Sequence, residues 1–511
     1  MQEINCPSCG APAAFRSSAA VMVVCEYCHS TLLKDADTVR DIGKMSAVLE
    51  DYTPLQLGTG GQWDGQGFTL VGRIQLRYDA GLWNEWYLLF DDGSDGWLAD
   101  ASGQYMLTRR HAAGAQAGAA QLDAAQLDGA PLPRYEHLAP GASLFFDKHR
   151  YLASDVRSAR CTGGQGELPF AVGAGWTAQV ADFRDEGRFV TLDYADGYPP
   201  AVYTGAAVTL DQLKCQLLRD KEQIAGSADR YRGKAVPLAC PGCGGPIAYR
   251  AGVASFVVCP SCHSQIDCTT STALVLEKQR ELDALQTSLA PGDTGTIDGT
   301  PYTVLGLMQC TDHDEDEAST WVEYLLFSEQ RGLLWLVEQA DGWDRVEVLD
   351  TWPRTVSGDA VSYQGQTFRQ GYDYQSEVLY AAGTFNWRVQ VGDTTRLTEY
   401  GKRARRLTRE TSATEIVWTL STTVARAQVA QWFKSSPGLA QAARALPAAR
   451  PADSSADLAF CRKSAKVYAI LLAILNVPVA LVTGRGWFTL VIGFLLLWAP
   501  IWLVRRWAGK D

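Results

Sequence analysis

Two pairs of CxxC motifs, repeated along the chain, decide the fold. The first pair is CPSCG at residues 6–10 with CEYCHS at 25–30, and the second is CPGCG at 240–244 with CPSCHS at 259–264. In both pairs 15 residues separate the last cysteine of the first CxxC from the first cysteine of the second, and the second pair begins 234 residues after the first. Two identical spacings indicate an internal duplication, which sets the organisation of the whole chain.

Four cysteines in two CxxC knuckles are the ligand set of a structural zinc ribbon. Each knuckle supplies two thiolates, and the intervening hairpin brings all four around one tetrahedral ion. Glycine follows the first knuckle of each pair, at Gly10 and Gly244, where a left-handed backbone turns amides toward the sulfurs. We therefore predict Zn²⁺, two ions per chain. The predicted ligands are Cys6, Cys9, Cys25, Cys28, Cys240, Cys243, Cys259 and Cys262.

The second knuckle of each pair also matches C-x-x-C-H, the attachment pattern of c-type haem. Haem attachment needs export, and the first residues lack the charged and apolar regions of a secretory signal. Haem would also leave the first knuckles without a role. We favour the interpretation that His29 and His263 replace the usual knuckle glycine. A thioredoxin-like redox role is disfavoured because neither knuckle lies in a βαβ pattern.

The duplication continues beyond the cysteines into a β-rich body. DGQGFTLVG at 64–72 corresponds to DGTPYTVLG at 298–306, and EWYLLF at 85–90 corresponds to VEYLLF at 322–327 after an acidic insertion. Short runs of β-branched and aromatic residues, broken by Gly and Asp-Gly turns, predict antiparallel strands. Leucines at helical spacing between ribbon and body, such as Leu282, Leu285 and Leu289, predict a connecting helix.

The predicted fold is mainly β: two tandem repeats of a zinc ribbon plus an antiparallel β domain, followed by an α-helical transmembrane hairpin. The predicted segments are zinc ribbon 1–34, connecting helix 35–52, β-rich domain 53–220, zinc ribbon 235–270, connecting helix 271–290, β-rich domain 291–434, linker 435–460 and transmembrane hairpin 466–505.

The end of the sequence is strongly apolar. Residues 467–482 and 487–504 are almost free of charge and flank the turn TGRG, and each run rises about 24–27 Å as a helix. Basic residues precede the first run and follow the second, which places both ends in the cytoplasm. We expect an inner-membrane protein with two spans, cytoplasmic N- and C-termini, and inner-membrane lipid as a partner.

The charge balance argues against nucleic-acid binding. The 511 residues include 46 Lys and Arg against 57 Asp and Glu, a formal net charge of −11. Non-specific affinity for nucleic acid comes mostly from basic residues that neutralise phosphates, so no nucleic-acid partner is expected. The densest basic cluster, KRARRLTR at 402–409, is interpreted as a solvated strand face or as a patch for anionic lipid headgroups.

No motif indicates an enzyme. The chain has no H-E-x-x-H, G-x-S-x-G, Walker A or dinucleotide-binding pattern, and its six histidines have no spaced nucleophile or base partner. Two pairs of carboxylates recur between the copies, Glu85 with Glu323 and Asp100 with Glu338, and are interpreted as exposed strand-end residues. We predict no catalytic residue and no cofactor other than zinc.

These stretches resemble a bacterial family, the domain of unknown function numbered 4178, here present twice. The first copy carries FTLVGRI (68–74), WNEWYLLF (83–90), GWL (96–98) and GELPF (166–170). The second keeps WVEYLLF (321–327) and LWLVE (334–338) but has GTFNW (383–387) in place of GELPF. The resemblance brings no known reaction. It implies a membrane-linked system, because members look like neighbours of small membrane proteins, aminopropyltransferase-like enzymes and envelope-stress genes.

The expected function is therefore a membrane-anchored, zinc-binding scaffold or adaptor on the cytoplasmic face, in an envelope-stress or membrane-associated system, that holds a protein partner. The alternative is a non-catalytic accessory subunit of an enzyme system handling a small cationic molecule such as a polyamine. In that case the aromatic and acidic residues at 83–86 or 321–324 would form a cage for the cation.

Overall fold

The structure is a computed structural model. It describes residues 2–17, 19–35, 38–45, 48, 51–111, 126–127, 130–172, 176–220, 222–224, 238–247, 256–268, 274–277, 285–312, 319–402 and 404–439. The predicted transmembrane hairpin at 466–505 and most of the linker at 435–460 lie outside the described residues. Within the described part, no helix is long and apolar enough to cross a bilayer.

The first copy contains seventeen described strands and one short 3-10 helix, Tyr135–His137. The strands are β1 (Gln2–Asn5), β2 (Pro12–Phe15), β3 (Met22–Val24), β4 (Ser30–Asp35), β5 (Thr38–Lys44), β6 (Gly60–Trp63), β7 (Gln66–Tyr78), β8 (Gly81–Phe90), β9 (Asp95–Ala101), β10 (Gln104–Arg110), β11 (Gln126–Leu127), β12 (Ala130–Pro131), β13 (Ser143–Phe146), β14 (His149–Leu168), β15 (Thr177–Asp185), β16 (Arg188–Asp193) and β17 (Ala201–Val208).

The second copy repeats this order and adds the helix α1 (Arg426–Trp432) after its last strand. Its strands are β18 (Leu238–Ala239), β19 (Pro246–Ile247), β20 (Phe256–Val258), β21 (Gln265–Asp267), β22 (Leu274–Glu277), β23 (Thr294–Ile297), β24 (Thr300–Asp312), β25 (Thr320–Ser328), β26 (Gly332–Gln339), β27 (Gly342–Val348), β28 (Arg354–Ser357), β29 (Ala360–Tyr363), β30 (Gln366–Phe385), β31 (Thr394–Lys402), β32 (Arg405–Thr411) and β33 (Ile416–Val424).

Each copy closes into an eight-stranded antiparallel barrel. Barrel 1 has the ring order β14-β15-β16-β17-β10-β9-β8-β7 and closes through pairing of β14 with β7. Barrel 2 has the order β30-β31-β32-β33-β27-β26-β25-β24 and closes through β30 with β24. Closure requires tilted strands, and the first half of the 20-residue β14 pairs with β15 while its second half pairs with β7.

The barrel wall is covered on both faces. In barrel 1 an inner cluster takes Ile74 and Tyr87 from one side of the ring and Ala159 and Ala178 from the other. An outer cluster includes Phe68, Leu88 and Leu98, and flanking segments cover it with Leu55 and Leu213. Full burial of one such side chain is worth about 1.5–3 kcal/mol, so both clusters stabilise the wall.

One part of each ribbon belongs to its barrel sheet, whereas β1–β2 and β18–β19 form separate two-stranded sheets. The strand β3, which enters the second knuckle, pairs with the end of β14, with Val24 opposite Gly166. In the second copy β20 pairs with the end of β30 in the same way, with Val258 opposite Gly383. Each cysteine cluster is therefore attached to its barrel by a continuous hydrogen-bonded sheet.

The two predicted connecting helices are wrong in the part that the structure describes. Within 35–52 the chain forms β5, which pairs with β4, and within 271–290 it forms β22, which pairs with β21. The ribbon hairpins leave an unpaired sheet edge, and β-branched residues such as Thr38 and Val39 favour pairing with it. Leu289, part of the helical leucine pattern, is fully buried outside any helix.

The two copies contact each other and form one compact unit over residues 1–439. Arg157 Nη2 of barrel 1 lies 2.7 Å from Glu415 Oε2 of barrel 2. The Trp352 amide donates a hydrogen bond of 3.0 Å to the Glu186 carbonyl. The described part of the chain is thus one body made of two similar modules.

Candidate metal centres and barrel interiors

The predicted ligand cysteines converge in two groups of four. The Sγ distance is 3.6 Å for Cys6 to Cys28 and 3.7 Å for Cys9 to Cys25. The corresponding distances in the second copy are 3.6 and 3.8 Å. Four sulfurs placed about 2.3 Å from one tetrahedral ion are about 3.8 Å apart, whereas a disulfide needs about 2.05 Å. Both groups therefore have the geometry to hold a metal ion.

The knuckle turns explain why glycine and histidine alternate after the cysteines. The φ angle is 76° at Gly10 and 75° at Gly244, and it is 58° at His29 and 54° at His263. In all four turns the amide of this residue donates to the carbonyl of the first knuckle cysteine, at 2.7–2.9 Å. The histidines thus occupy the left-handed position that glycine occupies elsewhere, as the sequence predicted.

A serine next to the second knuckle of each ribbon stabilises the thiolate form of the nearby cysteine. The side chain and amide of Ser30 lower the pKa of Cys28 to about 6. Burial raises the pKa of Cys262, but the hydrogen bonds of Ser264 outweigh it and bring the value to about 6. The thiolate is the form that binds a metal, so one ligand of each group is ready at neutral pH.

The two knuckle histidines differ in environment. His29 is exposed, whereas His263 is 4% exposed and its ring centroid lies 5.0 Å from that of Tyr380 in an edge-on arrangement. Neither histidine belongs to the groups of potential metal ligands, which consist of cysteines alone in the part of the chain that the structure describes.

A cavity of about 500 Å³ lies between the ribbon and the barrel of the first copy. Cys25 and His29 line it from the knuckle, and Arg73, Trp86 and Gln165 line it from the barrel. The Arg73 guanidinium lies 4.7 Å from the Trp86 ring centroid and donates a 3.0 Å hydrogen bond through Nε to Asn84. This polar cavity is a feature of the first copy.

The second copy has other side chains at the equivalent positions. In the strand register Leu307 opposes Tyr324 as Arg73 opposes Trp86, which shifts the match of EWYLLF with VEYLLF by one residue. Tyr324 donates a 2.7 Å hydrogen bond to Glu338 and stacks on Trp343 with centroids 5.5 Å apart. The two copies therefore share a fold but differ at the junction of ribbon and barrel.

The recurring carboxylates Glu85 and Glu323 lie inside the barrels, although the sequence suggested exposed positions. Each accepts a hydrogen bond from the indole of a tryptophan two residues earlier, at 2.8 Å from Trp83 and 2.7 Å from Trp321. Burial raises the pKa of Glu85 to about 8 and raises that of Glu323 as well. Both side chains are partly buried, and each lies on the same strand face as a buried tryptophan of the barrel, Trp83 or Trp321.

A third recurring pair of carboxylates was missed by the sequence analysis. RFVTLD at 188–193 corresponds to RRLTRE at 405–410, so Asp193 on β16 is equivalent to Glu410 on β32. Burial raises the pKa of both groups, to about 8 for Glu410. The charge of Asp193 opposes ionisation of Glu85, and the charge of Glu323 opposes ionisation of Glu410. Aligning this third repeated stretch would have revealed the pair.

The remaining recurring pair, Asp100 and Glu338, is also less exposed than expected. Asp100 is 5% exposed, and burial followed by repulsion from Asp51 raises its pKa to about 6. Glu338 accepts a further hydrogen bond of 2.6 Å from Ser288.

The basic cluster at 402–409 is largely occupied by contacts within barrel 2. Arg406 Nη2 lies 2.6 Å from Asp344 Oδ2, and Arg405 donates to Gln364 and Gln366. Arg409 donates to the Thr398 hydroxyl at 3.3 Å. These side chains contribute to the barrel more than to a free cationic patch.

Two barrels, each carrying a four-cysteine cluster on its own sheet, define a tandem β-barrel protein with two candidate metal centres. The family described as domain of unknown function (DUF4178) matches residues 56–210 and 290–426. The chain therefore belongs to this family and contains its domain twice. No curated protein and no solved structure matches the chain.

Proposed function

We propose that the chain is a zinc-stabilised scaffold or adaptor that holds a protein partner at the cytoplasmic face of the inner membrane. The observation that carries this proposal is the continuity of ribbon and barrel. Because β3 and β20 pair with the long barrel strands, the second knuckle of each ribbon is held at a fixed position on one body. A rigid display of paired modules suits a protein that positions a partner.

Zinc is the metal that best fits the proposal. Four thiolates at tetrahedral spacing suit Zn²⁺, which stabilises small ribbons without taking part in redox chemistry. The purified full chain should contain two zinc ions, measured by mass spectrometry, and should have no Soret band. Iron in place of zinc, or a haem spectrum, would contradict this assignment.

The membrane part of the proposal is supported by the apolar runs at 467–482 and 487–504. We expect the full chain to stay with membranes after carbonate extraction, and a chain ending at residue 439 to be released. Equal release of both chains would contradict the membrane anchor, and the proposal would then be limited to the zinc-binding barrels.

The second knuckle of the first ribbon, at residues 25–28, is the surface we assign to the partner. Tyr27 is 71% exposed at its tip, and the equivalent position in the second copy is Ser261. A photo-crosslinking residue at position 27 should capture one defined protein in cells, whereas the same residue at position 359, which is exposed in barrel 2, should not. Identical products from both positions would contradict a specific partner surface.

The alternative, handling of a small cationic molecule, is favoured by one observation: Glu85 and Glu323 lie inside the barrels beside Trp83 and Trp321. The wider cage expected from 83–86 and 321–324 does not form, because Trp86 and Tyr324 belong to the outer clusters. Titration with spermidine tests this alternative. The alternative predicts that spermidine binds and that Glu85→Gln and Glu323→Gln weaken this binding.

A further inference from the structure

The outer face of barrel 1 carries three large side chains in a row across adjacent strands. Gln165 on β14 pairs with Arg73 on β7, and Arg73 pairs with Trp86 on β8. Side chains at paired positions lie on the same face of a sheet. All three line the cavity of about 500 Å³ between ribbon and barrel, so this row forms the floor of the cavity. A space of this volume lies within the range of small-molecule sites.

The second copy has the same register with other residues in the row. Ala382 on β30 pairs with Leu307 on β24, and Leu307 pairs with Tyr324 on β25. Barrel 2 therefore closes with an alanine and a leucine at the positions of Gln165 and Arg73. Closing the barrel does not require an amide or a guanidinium at these positions, and both side chains are available for another role.

A tyrosine covers the knuckle histidine in the second copy. The Tyr380 ring centroid lies 5.0 Å from that of His263, which is 4% exposed. In the register of the long strands, Gly163 on β14 stands at the position of Tyr380 on β30. Glycine leaves the knuckle of the first copy without this cover, and His29 is exposed and lines the cavity.

Arg73 has one nitrogen left for a ligand. Its Nε and Nη2 donate to Asn84 at 3.0 and 2.7 Å, and Nη2 also lies 2.5 Å from Asp51. Nη1 makes no hydrogen bond in the described part of the chain, and neither does the partly buried amide of Gln165. The floor thus offers a guanidinium that only donates and an amide that both donates and accepts.

The charge of Arg73 is already balanced. Asp51 lies 2.5 Å from Arg73 and 3.3 Å from Arg219, and the exposed Glu26 adds a carboxylate to the cavity wall. The charge of Arg73 also favours ionisation of Asp100. An anionic ligand would be repelled by these carboxylates, and a cationic ligand would be repelled by the two guanidinium groups. The surroundings therefore favour an uncharged ligand.

We propose that this cavity binds a small uncharged molecule through an amide group. The ligand carbonyl accepts a hydrogen bond from Arg73 Nη1, and the ligand N–H donates to the side-chain carbonyl of Gln165. The apolar part of the molecule packs against Leu55 and Leu57, which also line the cavity. The site is separate from the barrel interiors, and it goes beyond both functions proposed above.

The test is fluorine NMR of para-fluorobenzamide with the full chain in detergent, because spectra of the ligand detect weak binding. We expect saturable line broadening relative to detergent alone. The carboxylate para-fluorobenzoate has nearly the same shape and carries a negative charge. It should bind at least about tenfold more weakly, because it meets the carboxylates around the floor.

Two substitutions introduce the residues of the second copy. Gln165→Ala removes the amide of a partly buried side chain and should weaken binding about threefold to tenfold. Arg73→Leu removes the guanidinium donor and should abolish binding, and its zinc content and unfolding midpoint show whether this variant is folded. Gln370→Ala removes an exposed amide from barrel 2 and should leave binding unchanged.

The ribbon side of the cavity gives a second readout. Cys25 lines the cavity and belongs to the first four-cysteine cluster. Cys25→Ser should therefore lose one zinc ion together with binding of para-fluorobenzamide. Cys259→Ser, in the second cluster, should lose one zinc ion and keep the binding.

Three results would overturn the proposal. The absence of saturable para-fluorobenzamide binding would show that the cavity holds only water. Equal or tighter binding of para-fluorobenzoate would indicate an anion site. Unchanged binding in Gln165→Ala and Cys25→Ser would place the bound amide elsewhere on the chain. Crosslinking at position 27 and the zinc content of the wild type report separately on the scaffold proposal.

Discussion

Val24 pairs with Gly166, and through this contact the metal-binding knuckle of the first copy is joined to its barrel. Gly166 also pairs with Gly72 on β7, so three strands meet at one residue. Its φ angle is 67°, and a Cβ there would lie 2.2 Å from the Val71 carbonyl oxygen. The junction therefore requires glycine.

Gly166→Ala should destabilise the first module. The left-handed backbone alone costs about 1–3 kcal/mol for a residue other than glycine, and the clash with Val71 adds to this. In thermal unfolding of the full chain, the first transition should have a lower midpoint temperature. One zinc ion should also be lost faster to a chelator. Gly358→Ala, where a Cβ meets nothing within 4 Å, is the matched control and should unfold like the wild type.

Removing one cysteine should remove one metal ion. Cys25→Ser breaks the first cluster and Cys259→Ser breaks the second, so each single variant should hold one zinc ion and the double variant none. Cys161→Ser removes a thiol outside the clusters and should keep both ions. Since a structural zinc site stabilises folding directly, each cluster variant should also expose its ribbon to protease. Loss of both ions from a single variant would mean that the two centres are not independent.

The cysteine spacing predicted both four-cysteine clusters, because a tetrahedral ion fixes distances that sequence spacing alone can satisfy. The left-handed histidines followed from the same reasoning, since His29 stands where Gly10 stands in the other knuckle. The repeat was equally clear from matching stretches. These features are local, so no knowledge of long-range pairing was needed.

Burial of Glu85 and the strand at Thr38–Lys44 could not be predicted in this way. In WNEWYLLF both faces of β8 are covered, one by the barrel interior and one by flanking segments, and the alternation that marks an exposed face is lost. β5 forms because β4 offers it a sheet edge, a tertiary effect that overrides a local helical pattern.

Arg73→Leu, which introduces the residue of the second copy, should destabilise the first module by about 1–3 kcal/mol. Arg73 is 2% exposed and donates to Asp51 and Asn84, so its loss removes a buried donor from both groups, although Arg219 still pairs with Asp51. Urea unfolding of the full chain measures the effect. Arg369→Leu removes an 82% exposed side chain and should change stability little. A mild effect of Arg73→Leu would indicate that water in the adjoining cavity replaces the guanidinium.

Glu85→Gln should change how stability depends on pH. The pKa of Glu85 is raised to about 8 in the folded chain, so the folded state holds a proton that the unfolded state releases near its ordinary value. Protonated Glu85 therefore makes its full contribution to the free energy of unfolding at acid pH. This contribution, on the order of a few kcal/mol, is lost as the pH rises through about 8. Glutamine stays neutral, so the variant should match the wild type near pH 5 and be more stable at pH 9. Ligand-free protein must be used, because a bound cation would stabilise the ionised carboxylate. Parallel stability curves from pH 5 to pH 9 would show that Glu85 is ionised in the folded barrel throughout this range.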